Sequence, residues 1–399
     1  VKKNNRAMTV LLAGVGMNLA FGVLYAWSIF GAALKDVSPT DNWTDTTAAL
    51  PYSVAIVFFA LMMVPAGRLQ DKIGPRLVAT IGGLLIGGGC ILASFIGDSV
   101  TGMVIAFGVM AGSGIGLGYA STTPPAVKWF APEKKGLVTG IVVGGFGLAS
   151  IYIAPLSKYL LANYTVFEAF RYLGILFLIV TLPLAQLIVN PDQPQVSKNK
   201  KAATSHDLTF KQMLKTKQFY ILWVMFFIGA FAGLMIIGHL KTIAKVQLPG
   251  KDLGFTLVAL AAIANAIGRP AAGVISDKFG RAKTMAGLYI IQAGVLFVFA
   301  SFNTFFMILA GAMVMYFSYG SMLSVFPSAC GDNYGTKNLG LNYGILFSAW
   351  GLGGFFGPTV GGAIKDATGD YGLAFIIAGG LLIFAAFLGF IYKPYQHEA

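Results

Sequence analysis

The chain has 399 residues, of which 56% are hydrophobic and only 11% charged, with a mean hydropathy of +0.75. That balance excludes an ordinary water-soluble globule and makes lipid the solvent for most of the surface. The formal net charge is +13, and the two cysteines, Cys90 and Cys330, both lie in apolar runs, which excludes a disulfide framework or a cysteine metal cluster.

In chain order, twelve apolar runs cover 7–34, 47–66, 75–97, 100–127, 136–161, 168–190, 218–240, 253–275, 284–302, 304–330, 340–364 and 371–392. Roughly 20 residues of helix cross about 30 Å of hydrocarbon, so each run predicts one transmembrane helix. None shows the alternation of a barrel strand. The first run follows Lys2, Lys3 and Arg6; it is too long for a signal peptide and lacks a small-residue cleavage site, so it reads as a retained helix. The class expected is an all-α membrane protein.

The long polar interval, 191–217, falls after the sixth run. It divides the chain into a six-helix half at 1–190, a linker, and a second six-helix half at 218–399. Within the linker, Phe210, Met213 and Leu214 have helical spacing among lysines, which suits a short interfacial helix on an anionic inner leaflet.

With odd-numbered helices running outward, the charges separate by side. The side carrying both termini has 20 Lys and Arg against 7 Asp and Glu, and the other side 7 against 8. This positive-inside asymmetry places both termini in the cytoplasm of a plasma (inner) membrane protein and accounts for the basic charge without a nucleic-acid partner.

The halves echo each other. "GRLQDKIGPR" at 67–76 returns as "GVISDKFGRAK" at 273–283, pairing Gly67, Asp71 and Gly74 with Gly273, Asp277 and Gly280. Gly136 and Gly140 are similarly matched by Gly340 and Gly344. A duplicated six-helix unit is indicated, with a binding site between the repeats near mid-membrane. The paired loops suit a cytoplasmic latch, in which glycine permits a tight turn and aspartate pairs with a helix N-terminus or a nearby cation. The 51 glycines cluster inside the runs at small-xxx-small spacing and lack the Lys-Ser/Thr ending of a phosphate loop, so they read as helix-packing surfaces.

Few ionisable groups remain inside the runs. Arg269 lies eight residues before Asp277 in an otherwise apolar stretch, about 12 Å of helical rise from that loop. A buried arginine costs about 2.5–3.5 kcal/mol on insertion scales, so it faces a cavity, a partner or an anion, or snorkels to the interface. Asn265 lies one turn earlier on the same face. No Asp or Glu falls near a membrane centre, so the partner expected for Arg269 is a carboxylate from outside the chain. Tyr25, Tyr119, Tyr319 and Phe347 lie at comparable depths and could wall the pocket, although each alone reads more readily as packing, as do Trp27 and Trp350. His239, near the outer end of the seventh run, is a candidate proton carrier or gate or else an interfacial histidine. No nucleophile, acid-base or metal-ligand grouping is visible, so neither an enzyme nor a metal or other cofactor is expected.

"GVLYAW" at 22–27, "KWFAPEKKGLVTGIVVGG" at 128–145, "FKQMLKTKQFYILW" at 210–223 and "NAIGRPAAGVISDKFGR" at 265–281, with the repeated loops, resemble the monocarboxylate transporter and oxalate/formate antiporter branch of the major facilitator superfamily. The resemblance covers nearly the whole chain and implies the major facilitator fold and alternating-access movement of small organic anions, with a proton coupled in monocarboxylate members. It matches Arg269 to the substrate-binding arginine and Tyr119 to a cavity aromatic. Tyr25, Tyr319 and Phe347 fall at further cavity positions.

Two departures bear on mechanism. Animal monocarboxylate transporters carry a lysine in the first helix and an aspartate one turn before the arginine, where this chain has Ile29 and Asn265. Oxalate-exchanging relatives carry a lysine where this chain has Trp350, so a single buried cation favours a monocarboxylate over oxalate. The expectation is a proton-coupled symporter of lactate- or pyruvate-type acids, working as a single chain. Its alternatives are a carboxylate exchanger and, after that, an anion channel.

Overall fold

The computed structural model describes residues 2–37, 43–130, 135–191, 207–250, 252–335 and 338–395, and among them every regular element is helical. The first crossing is α1 (Lys2–Phe21), a 3-10 segment (Gly22–Ala26) and α2 (Trp27–Val37). Then come α3 (Asp45–Ile73) and α4 (Pro75–Ile96). The fourth crossing combines α5 (Val100–Met103), a π-helical stretch (Val104–Ala111) and α6 (Gly112–Lys128); α7 (Lys135–Asn163) and α8 (Val166–Leu187) complete the first half. After the short α9 (Phe210–Met213), the second half runs α10 (Lys217–Gln247), α11 (Gly254–Phe279), α12 (Arg281–Phe299), α13 (Phe305–Tyr334), α14 (Leu339–Thr368) and α15 (Gly372–Ile391).

Eleven helical stretches among the described residues are long and apolar enough to cross a membrane. The eleventh apolar run, α14, falls outside that set although it is 30 residues long. Glycines at 351, 353, 354, 357, 361 and 362 dilute its hydropathy, yet it packs between α3 and α10 like the other crossings. The twelve-helix expectation therefore holds for architecture, with α14 held by protein contact more than by its own lipophilicity.

The helices begin where local chemistry satisfies their free N–H groups. Thr44 and Thr47 form a reciprocal capping box at α3, and Thr165 and Glu168 another at α8. Between α3 and α4 the chain turns at Gly74 (φ +85°), and between α11 and α12 at Gly280 (φ +88°). Both sit in a region open essentially to glycine alone, so the sequence repeat is also a backbone repeat. Outward-facing Phe306, Phe279 and Phe95, each at least two-thirds exposed, form part of an apolar exterior that suits lipid.

Within the first half α4 packs on α8, α3 on α6 and α1 on α7; within the second, α11 packs on α13, α12 on α15 and α10 on α14. The halves meet along α3–α14, α7–α11 and α2–α10. The expected interfacial helix is the single turn α9, with Met213 buried, and its entry is moored to the second half. The Leu208 N–H donates to the Tyr334 carbonyl, while the Asn338 and Asn342 amides donate to the Leu208 carbonyl.

Candidate functional site

Arg269 sits sixteen residues into the 26-residue α11, about 22 Å of rise from one end and 15 Å from the other. It is 2% exposed. Its Nη1 donates to the Val143 carbonyl of α7 at 2.5 Å, and its Nη2 reaches the Tyr25 hydroxyl at 3.4 Å. The guanidinium therefore lies across the junction of the halves. A small residue at 147 leaves the space for it: a Cβ there would already stand 3.4 Å from Nη2 and 3.5 Å from Nε, leaving no room for a longer side chain.

A guanidinium has five N–H groups. Nε has no hydrogen-bond partner, and neither do Oδ1 and Nδ2 of Asn265, which is fully buried one turn earlier on α11. Among the described residues no carboxylate pairs with Arg269; the four ion pairs all lie elsewhere. Leaving such polar groups buried and unused costs about 1–3 kcal/mol each, more for a charged one. Buried, unpaired with any described acid and with a spare N–H, the guanidinium has the chemistry to take an anion.

Hydroxyls extend this polar cluster. Tyr25, held on the 3-10 segment, donates to the Tyr319 hydroxyl at 3.2 Å, and the Trp350 indole N–H donates to the same oxygen at 2.9 Å. With both lone pairs of Tyr319 engaged, its own hydrogen remains to donate. The 3-10 segment comes close to α7 because Gly22 lies against Ala149 and the Phe146 carbonyl, where a Cβ would clash. Tyr119 meets Phe59 edge-on at 5.2 Å and Phe146 at 5.4 Å, with Arg269 within its electrostatic reach. Phe347 stacks on Trp350 at 4.7 Å and also contacts Tyr343.

The structure thus gathers Arg269, Asn265, Tyr25, Tyr319, Tyr119 and Phe347 around one mid-depth junction. It also adds members that sequence patterns do not single out: Val143 and Gly147 of α7, the Phe59–Phe146 wall, and the unpartnered hydroxyls of Tyr52 and Tyr316. A carbonyl acceptor has no sequence signal, and Gly147 is one glycine among many. Trp350, read as packing, doubles as a hydrogen-bond donor. His239 lies apart, toward the end away from the termini.

At that far end the halves are clasped together. The Asp366 carboxylate of α14 accepts from the Asp45 and Thr46 N–H groups of α3 at 2.7 Å each and from the Thr46 hydroxyl. Lys245 of α10 pairs with Asp36 of α2 at 3.1 Å. The hydrogen bonds and ion pairs joining described residues of the two halves lie at the level of Arg269 or beyond it toward this far end. On the terminal side, Gly67, Gly140, Gly144 and Gly273 each face open space. Asp277 pairs with Arg281 at 2.6 Å, and Arg281 also reaches Asp332 at 3.0 Å. That network stays within the second half. The Asp71 side chain lies outside the described residues. Among the described residues the polar ties between the halves thus run from the level of Arg269 to the far end, while Gly344 of α14 lies close against Val64 of α3.

The sequence model of one transporter family, the Major Facilitator Superfamily, matches residues 16–262 and 248–398. The chain belongs to the Major Facilitator Superfamily. Within it, the chain is 31% identical over 382 residues to the oxalate:formate antiporter of Oxalobacter formigenes, covering 94% of this chain and 88% of that one. It is 27% identical to monocarboxylate transporter 13 of Rattus norvegicus, with 94% and 86% covered. Among solved structures it resembles a bacterial homologue of the human lysosomal transporter Spinster, described as inward-facing and unoccupied, with a TM-score of 0.75 at 14% identity over 97% and 96% of the two chains. That likeness establishes the shared superfamily fold. This is a multi-pass membrane transporter.

Proposed function

We propose that the chain moves small monocarboxylates of the lactate or pyruvate type across the plasma membrane by alternating access, together with a proton. The observation that carries this reading is Arg269, buried between the halves with an unpartnered Nε beside the unpartnered Asn265 amide. One guanidinium neutralises one carboxylate, bound side-on through two N–H groups. Trp350 contributes an N–H and an aromatic face rather than a second charge, which suits an acid whose remaining atoms are neutral. The Tyr25, Tyr119, Tyr319 and Phe347 rings confine that remainder.

In this reading the termini are cytoplasmic, in keeping with the charge asymmetry, and the described conformation opens inward. Substrate enters from the terminal side and the guanidinium is neutralised. Closure of the glycine faces at Gly67, Gly140, Gly144 and Gly273 then excludes water and strengthens the pair in a lower dielectric. The Gly67–Asp71–Gly74 and Gly273–Asp277–Gly280 loops act as the latch of that closure.

A second reading, carboxylate exchange, is favoured by the likeness to an oxalate:formate antiporter. Uptake of radiolabelled short carboxylates into proteoliposomes separates the two. Symport predicts saturable lactate or pyruvate uptake driven by an imposed inward proton gradient in empty vesicles. Exchange predicts uptake that requires a preloaded counter-anion and ignores the gradient. No saturable uptake of any short carboxylate in either format would overturn both.

A further inference from the structure

A second cluster of titratable groups spans the halves at the far end, remote from Arg269. His239 of α10 is 4% exposed, with Nε2 2.8 Å from the Pro358 carbonyl oxygen of α14. A carbonyl only accepts, so Nε2 carries a hydrogen. The other ring nitrogen, Nδ1, lies 3.0 Å from the Tyr371 hydroxyl at the start of α15. That same hydroxyl lies 3.3 Å from Oδ1 of Asp45, at the start of α3 in the other half.

A phenol has one hydrogen to give. While His239 is neutral, its Nδ1 is a bare lone pair that competes with Asp45 for that hydrogen. Once His239 is protonated, Nδ1–H donates to the phenol oxygen and the phenol hydrogen passes wholly to Asp45. Every partner is then satisfied. The proton turns a contested hydrogen into a continuous chain from Pro358 through His239 and Tyr371 to Asp45, and its last link joins the second half to the first.

We propose that His239 is a proton-binding site that locks the far end shut, with Tyr371 as the relay and Asp45 as the catch. This rests on the alternating-access reading and supplies its proton step. The joined state contains the Tyr371–Asp45 link and the parted state does not, so the joined state binds the proton more tightly and, reciprocally, the proton favours the joined state. Falling pH at the far end therefore shifts the chain toward the conformation open at the terminal end. Rising pH through the titration of His239 releases it.

The surrounding charges bear on that titration from each packed element. Burial, the largest influence, opposes the imidazolium; against it, Asp45 of α3 and Asp366 of α14 favour the charged ring, whereas Lys35 of α2, which is ion-paired to Asp45, opposes it. On α10 itself, Lys245 is offset by Asp36, and Lys241 faces Asp36 and Asp252. The carboxylates outnumber the cations around the imidazole.

The test uses the full chain in lipid nanodiscs without carboxylate, carrying spin labels at Asn163→Cys and Ser301→Cys, far-end positions in opposite halves, with Cys90 and Cys330 replaced by serine. Double electron–electron resonance between pH 8 and 5 should show the short-distance population gaining on the long one by about fivefold or more as pH falls. His239→Gln keeps a donor for Pro358 but cannot titrate, and Tyr371→Phe keeps the titration but removes the relay; each should flatten the response. A wild-type population ratio that does not move with pH, or either variant retaining the wild-type shift, overturns the proposal. The labels report conformation with no substrate present, so a wrong carboxylate assignment leaves this result standing. A single distance at every pH combined with no saturable uptake removes the transport reading as well.

Discussion

Replacing Arg269 with glutamine separates a structural arginine from a receptor. Two of the five N–H groups are accounted for, by Val143 and Tyr25, and Nε is free, so a carboxylate can take Nε and a neighbouring Nη together. Two charge-assisted hydrogen bonds at about 1.5–3 kcal/mol each amount to roughly 3–6 kcal/mol. Glutamine returns at most one neutral bond of about 1 kcal/mol, so the net loss is at least ~2–3 kcal/mol, roughly a 30- to 150-fold rise in Kd. No acid in the described protein is orphaned by the change, since Arg269 has no carboxylate partner. The insertion cost of about 2.5–3.5 kcal/mol is meanwhile relieved. Arg269→Gln should therefore bind carboxylate far more weakly by isothermal titration calorimetry while its substrate-free melting temperature in detergent stays equal or rises. A marked fall in substrate-free melting temperature, with binding intact, would refute this account and make Arg269 a strut.

Three further expectations address the surroundings. Gly147→Ala should bind normally, because its Cβ would sit at ordinary contact distance from the guanidinium, whereas Gly147→Leu should displace Arg269 and weaken binding at least ~10-fold in the same titration. Trp350→Lys should lose about 3–5 kcal/mol of stability through the emptied aromatic volume, read as a lower melting temperature. In the protein that folds, it should raise competition by oxalate relative to lactate in uptake assays. Gly280→Ala forces a Cβ into a φ of +88° and should cost about 1–3 kcal/mol of thermal stability without altering carboxylate affinity.

The crossings, their order and the duplication are legible in the sequence because hydrocarbon thickness and the repeated Gly–Asp–Gly loops leave direct marks on residue type and spacing. Arg269 is legible for the same reason: a charge among apolar residues is conspicuous. The rest of the cluster around it is not, because it depends on which faces meet. Val143 contributes a carbonyl that any residue would offer, and Tyr25 reaches the site through a local 3-10 winding. His239 is visible as an isolated histidine. Its partners Tyr371 and Asp45 lie 132 and 194 positions away in the chain, and only packing discloses them. The paired loops look alike as strings, and only packing discloses that in this conformation the second-half copy ties α11 to its neighbours α12 and α13.

The glycines of α14 lie in two rows. Gly353, Gly357 and Gly361 rest on Phe227, Phe231 and Met235 of α10, while Gly351, Gly354 and Gly362 rest on Ala60, Ile56 and Asp45 of α3. Each one that lets a neighbour approach also withholds a lipophilic side chain from the bilayer. The helix best shaped for its protein neighbours is thus the one least able to enter the membrane by itself. Its insertion during synthesis is tied to helices already made, so the order of biogenesis is written into the same residues that seal the two halves together.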